Sequence, residues 1–101
     1  MNFEDEIPTI TTTELEALLS ESPQIIDVRE DYEFAEGHIP NAINVPLGEI
    51  DNYELNGKAY IICRSGQRSA QAADLLYEKG NNVVDVYGGM LSWQGPTVTE
   101  G

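Results

Sequence analysis

Short apolar runs alternate with stretches of helical period along this chain, and the alternation predicts most of its elements. Residues 24–28, Gln-Ile-Ile-Asp-Val, form a β-branched run between turn signals and predict a buried strand. Residues 42–45, between Pro40 and Pro46, predict a second strand. Residues 58–63, ending in Cys63, predict a third, and residues 83–86 a fourth. Between them the period lengthens. Thr11 and Glu14 have capping-box spacing, and Leu15, Leu18 and Leu19 then recur at helical intervals, which predicts a helix over residues 12–19. Residues 31–36 predict a brief helix ended by Gly37, and the polar stretch 47–56 a single helical turn. A longer helix is predicted over residues 68–79, with Ala70, Ala73, Leu76 and Tyr77 on its buried face and Gly80-Asn81 as its stop. Gly88-Gly89 then breaks the chain before a short segment around Trp93.

Strands alternating with helices predict a parallel α/β sheet covered on both faces. The loops beyond the carboxyl ends of such strands form the binding crevice. Cys63 ends a strand on that side, in the loop that leads into the longest helix.

Composition narrows the classes. The 101 residues suffice for one domain, read here as residues 7–98, preceded by an acidic extension at residues 1–6. A core this small has no spare volume for an internal cofactor, so none is expected. A single Cys cannot form an internal disulfide, and only His38 could join it as a soft ligand, so no metal is expected. The longest apolar run, residues 59–63, is far below the ~20 residues of a membrane span. The acidic N-terminus lacks the apolar core of a secretory signal, so the expectation is a cytoplasmic protein with a reduced thiol. A net charge of −13 argues against nucleic acid and anionic membranes as partners.

The distribution of that charge says more than its sum. None of the eighteen carboxylates falls between Glu54 and Asp74, while Lys58, Arg64 and Arg68, three of the five basic residues, do. Cys63 sits inside this positive window. From it the chain reads Cys63, Arg64, Ser65, Gly66, Gln67, Arg68 and then Ser69 as the helix begins. A loop wrapping into a helix N-terminus aims several N–H groups at one centre, and Gly66 allows the tight turn. Amides, helix dipole and guanidinium groups together favour a thiolate, and arginine also pairs with two oxygens of an oxyanion. The competing reading, a free Cys serving as a small buried hydrophobe, is outweighed by the cation window and the Gly-bearing loop.

Three segments, in order, resemble the rhodanese-like family: "IIDVREDYEFAEGHIPNAINVP" (residues 25–46), "IICRSGQRSAQAADLLYEKG" (residues 61–80) and "VYGGMLSW" (residues 86–93). The resemblance implies a three-layer α/β sandwich around a central five-stranded parallel sheet, and sulfurtransferase chemistry at Cys63. The thiolate would take the outer sulfur of a small anionic donor such as thiosulfate, forming a persulfide. A thiol or protein thiol, or cyanide in an assay, would then accept it. Arg64 and Arg68 would hold the donor's oxygens, and the amides of residues 64–68 would stabilise the persulfide. The Cys-x4-Arg loop is one residue shorter than the Cys-x5-Arg loop of related phosphatases and arsenate reductases. It also differs from thiosulfate-specialised members, which more often carry Lys or Thr at the positions of Ser65 or Arg68. A non-enzymatic binding or redox-sensing module is the main alternative function, with a small phosphatase or arsenate reductase behind it. Against a chain this acidic, a protein acceptor should offer a basic patch.

Other residues are read structurally. His38 belongs to a structural Gly-His-Ile-Pro turn rather than acting as a base. Asp27 holds the Asp-Val-Arg turn. Arg29 is expected in a surface pair with Glu30 or Glu33 that adds little stability. Trp93 is expected to plug the core, and Ser65 or Ser69 to cap the helix after the loop.

Overall fold

The sheet contains one strand more than the apolar runs predict. The structure, a computed structural model, describes residues 7–99; the acidic extension at residues 1–6 lies outside them. Five parallel strands stand in the order β1-β5-β4-β2-β3, where β1 is Thr9–Thr11, β2 Ile25–Asp27, β3 Ile43–Asn44, β4 Ala59–Ile62 and β5 Val83–Tyr87. β1 is the added edge strand, paired Thr9 to Asp85 and Thr11 to Tyr87. With three residues and one apolar side chain, it has no alternation long enough to register.

The helices follow local signals closely. α1 (Thr12–Leu18) starts at the expected capping box: Glu14 N–H donates to Thr11 Oγ1 at 3.1 Å, and Thr11 N–H to Glu14 Oε1 at 2.8 Å. It tightens into a 3₁₀ turn over Leu19–Glu21. α2 (Asp31–Glu36) ends at Gly37 as expected. The polar stretch after β3 is a 3₁₀ helix over Leu47–Asn52 that buries Ile50. α3 (Gln67–Glu78) presents Ser69, Ala72, Ala73 and Leu76 to the sheet. Ala70, expected on that face, is exposed. Three alanines within four positions carry too little contrast to fix the rotation of the helix. α4 is the single turn Gly89–Ser92.

Period-two alternation divides the strands between two cores. Ile26, Val28, Ile61, Cys63 and Val83 pack beneath α3 with Ala73 and Leu76. Ile25, Ile62 and Val86 face the other way, onto Leu15, Ile39 and Trp93. β2, β4 and β5 are therefore apolar on both sides, as the inner strands of a sheet covered by helices require. Trp93 plugs the second core as expected, its Nε1 donating to Pro96 O at 3.0 Å. Among the described residues, no helix is long and apolar enough to cross a membrane.

Candidate active site

β4 delivers Cys63 to the carboxyl end of the central strand, where the thiol is 1% exposed. The chain then turns through Arg64 and Ser65 to Gly66, the residue that caps α3, at φ +115°. That conformation strains any residue with a Cβ. Gly66 N–H donates to Cys63 Sγ at 3.0 Å, so a backbone dipole at the helix N-terminus is aimed at the sulfur. Neither serine caps the helix. The cap residue is Gly66, which has no side chain to accept the first-turn N–H groups; Ser65 is exposed, and buried Ser69 donates its hydroxyl to Gly66 O at 3.2 Å. Ser69 thereby braces the loop from beneath, while Gln67 opens the helix on the exposed side.

The loop is also clamped from above. Met90 N–H donates to Cys63 O at 2.8 Å, and Leu91 N–H to Arg64 O at 2.9 Å. This approach depends on Gly89. A Cβ there, at φ +60°, would lie 2.5 Å from Cys63 O and 2.6 Å from Arg64 O. By sequence, Gly88-Gly89 is marked only as a breaker; a Gly pair just beyond a strand's carboxyl end is the signal that could have placed it against the loop.

The two loop arginines differ. Arg64 is exposed and, among the described residues, has no carboxylate within ion-pair distance. It lines a pocket of about 280 Å³ with Arg29, Glu33, Glu36, Gly37, Met90 and Leu91. Arg68, expected to be available to a ligand, is instead held by Glu33 of α2. Nη1 and Nη2 donate to Oε1 and Oε2 at 2.7 and 3.0 Å. The hydrogen bond from Arg68 lowers the Glu33 pKa to about 2, with the Glu30 N–H assisting. The Arg68 pKa is raised, first by Glu33 and further by the neighbouring charges of Glu33, Cys63 and Glu30. The cation window read from the sequence is thus closed by a carboxylate 35 residues upstream.

Arg29 also departs from expectation. It is 7% exposed and pairs with neither Glu30 nor Glu33. Its Nε lies 3.0 and 3.1 Å from the two Asp27 oxygens, its Nη2 donates to Asp27 Oδ2 at 2.8 Å, and the same nitrogen donates to Gly37 O at 2.8 Å. Asp27 holds the turn as expected, accepting Arg29 N–H at 3.0 Å. His38 is structural as expected: it is buried, its ring stacks on Phe34 and its Nδ1 donates to Phe34 O at 2.7 Å. A group the sequence does not single out is Asp85 on β5, whose Oδ1 is buried with no hydrogen-bond partner. Burial raises its pKa, against the lowering effect of the Ser69 hydroxyl.

A buried sulfur under an aligned N–H can carry negative charge, and Arg64, the next residue in the chain, brings an unpaired guanidinium to a nearby pocket that can receive an anionic or polarised reagent. Known proteins resemble this chain over most of its length. Residues 11–96 match the family model described as "Rhodanese-like domain". YtwF of Bacillus subtilis (strain 168) is 40% identical over 98 residues, covering 91% of this chain and 95% of that protein. A protein named "Sulfurtransferase" from Allochromatium vinosum is 33% identical over 79 residues, 73% of this chain and 74% of its own length. A crystal structure of a rhodanese-like domain protein from Staphylococcus aureus superposes with a TM-score of 0.84 at 38% identity, covering 94% of this chain and all of that one.

Proposed function

The chain belongs to the rhodanese-like domain family, and on that footing we propose that it is a sulfurtransferase working through a persulfide on Cys63. The observation that carries this reading is the Gly66 N–H aimed at Sγ from 3.0 Å, on a thiol that the fold otherwise encloses. In the first half-reaction the Cys63 thiolate attacks the outer sulfur of a sulfane donor. The donor's sulfur–sulfur bond breaks, and its remainder leaves with the electron pair, as sulfite when thiosulfate is the donor. Cys63 then bears the persulfide. In the second half-reaction an acceptor thiolate, or cyanide, attacks the terminal sulfur, and the bond to Cys63 breaks to restore the thiolate. Each half is a simple displacement, which is the advantage of a covalent intermediate.

The residues divide the work. Gly66 N–H, directed at Sγ, stabilises negative charge on the thiolate and on the persulfide it becomes. Arg64 meets the donor's negative end from the pocket rim. The clamp from Met90 and Leu91 holds the loop in its anion-facing shape. Burial keeps water and oxidants from the intermediate. The acceptor is a small thiol or a protein thiol, and a protein acceptor should present basic residues to a chain of net charge −13. We place the reaction in the cytoplasm, where the thiol stays reduced.

The test is thiocyanate formation from cyanide with thiosulfate or a low-molecular-weight persulfide as donor. The native protein should turn over at least one of them, and Cys63→Ser should show no rate above background while melting normally. A Cys63→Ser variant as active as the native protein would refute the role of the thiol.

A further inference from the structure

We propose that Glu33 sets the donor class: by holding Arg68 it leaves Arg64 as the loop guanidinium a donor can use, so the site favours an organic persulfide over the inorganic dianion thiosulfate. The inference rests on the sulfur-transfer reading above and goes beyond it by naming the donor.

The geometry gives Arg68 a complete partner before any donor arrives. Both terminal guanidinium nitrogens are engaged, at 2.7 and 3.0 Å, and both side chains are partly buried. The carboxylate is fixed from its other side as well, since Oε1 also accepts Glu30 N–H at 2.9 Å in the capping box of α2. An incoming oxyanion would have to replace a bidentate, preorganised partner with a mobile one. Nor does moderate acidity free Arg68, because the Glu33 carboxyl titrates only near pH 2.

The surface that Arg64 offers a donor is a pocket with a mixed lining, joined to Cys63 through Arg64, its neighbour in the chain. Arg64 supplies one available positive charge; Arg29 is committed to Asp27 and Gly37 O. Glu36 supplies a carboxylate that opposes a second negative charge on the donor, while the charge of Glu33 is taken up by Arg68. Met90 and Leu91, the latter 64% exposed, supply apolar surface. A dianion without carbon has nothing to set against that surface, whereas a persulfide brings an organic body to it and carries at most one charge at the reacting end. The chemistry balances. The Cys63 thiolate attacks the terminal sulfur of R–S–SH, the sulfur–sulfur bond breaks, R–S⁻ leaves with the electron pair, and the proton stays on the new persulfide until the medium removes it.

The experiment measures kcat/KM for thiosulfate and for cysteine persulfide, whose carboxylate and ammonium cancel, in the native protein, Glu33→Gln, Arg68→Ala and the double variant. Gln keeps an oxygen for Glu30 N–H, so α2 retains its cap while Arg68 is released. The native protein should favour the persulfide. In Glu33→Gln the ratio of thiosulfate to persulfide efficiency should rise by about ten-fold, the value of one additional charge-assisted hydrogen bond to the dianion. In the double variant the ratio should return to the native value, because Glu33 acts through Arg68. A native preference for thiosulfate, or a ratio unmoved by Glu33→Gln in a protein that uses both donors, overturns the inference and leaves sulfur transfer standing. Failure of the native protein to turn over either donor overturns sulfur transfer itself.

Discussion

Two arginine–carboxylate pairs flank the crevice, and they are opposite in almost every respect. Asp27–Arg29 spans two residues, lies buried, and ties a strand end to Gly37 O. Glu33–Arg68 spans 35 residues, lies at the rim, and ties the active-site loop to α2. Residue type alone inverts them, because arginine in a polar turn reads as exposed and arginine beside a cysteine reads as available. The difference teaches that a cation's role is set by the carboxylate the fold brings to it. The buried pair holds the architecture. The rim pair decides which charge is left for chemistry.

The sharpest way to break the comparison is to remove one carboxylate from each pair. Asp27→Ala strands a buried guanidinium and should cost about 3–5 kcal/mol in denaturant unfolding. Glu33→Ala leaves Arg68 able to reach water and should cost about 1 kcal/mol or less. Equal losses would mean that burial does not separate the pairs.

A second variant asks whether backbone packing or charge holds the loop. Gly89→Ala forces a Cβ against the carbonyls of Cys63 and Arg64 in a left-handed conformation. It should cost about 2–4 kcal/mol and slow alkylation or sulfuration of Cys63 in whatever protein still folds. A neutral Gly89→Ala would show that the clamp is dispensable.

The smallest effects come from titration, and here Glu33 and Asp85 should behave in opposite senses. Glu33 has a folded pKa of about 2 against an ordinary 4.5, so its stabilisation is complete above 4.5 and fades as pH falls toward 2. The stability advantage of the native protein over Glu33→Gln should shrink over that window. Asp85 has a raised pKa, so its ionisation disfavours the folded state increasingly as pH rises above the ordinary 3.8. Asp85→Asn should therefore become more stable relative to the native protein toward neutral pH, by about 1 kcal/mol at most. Parallel pH profiles for the two variants would contradict the assigned environments.

Much of the site is legible in the sequence because it is local. The apolar run of β4, Cys63 at its end, Gly66 three residues on and the helix after it are consecutive in the chain, so their geometry follows from a single strand-loop-helix turn. The capping box of α1 and the stop at Gly37 are legible for the same reason. What escapes a sequence reading depends on distant segments meeting. Glu33 reaches Arg68 only once α2 folds over the crevice, and Gly89 meets Cys63 O only when β5 lies beside β4. Arg29 escapes because nothing in the turn's sequence announces that it will be enclosed. β1 escapes because its pairing with β5, rather than any pattern of its own, makes it a strand.

The most direct test is the intact mass of the reduced protein after exposure to glutathione persulfide or thiosulfate, with Cys63→Ser treated in parallel. One added sulfur atom on the native protein, removed by an acceptor thiol and absent from the variant, is the predicted result. A native protein that alkylates at Cys63 yet takes up no sulfur from either donor would contradict a persulfide enzyme.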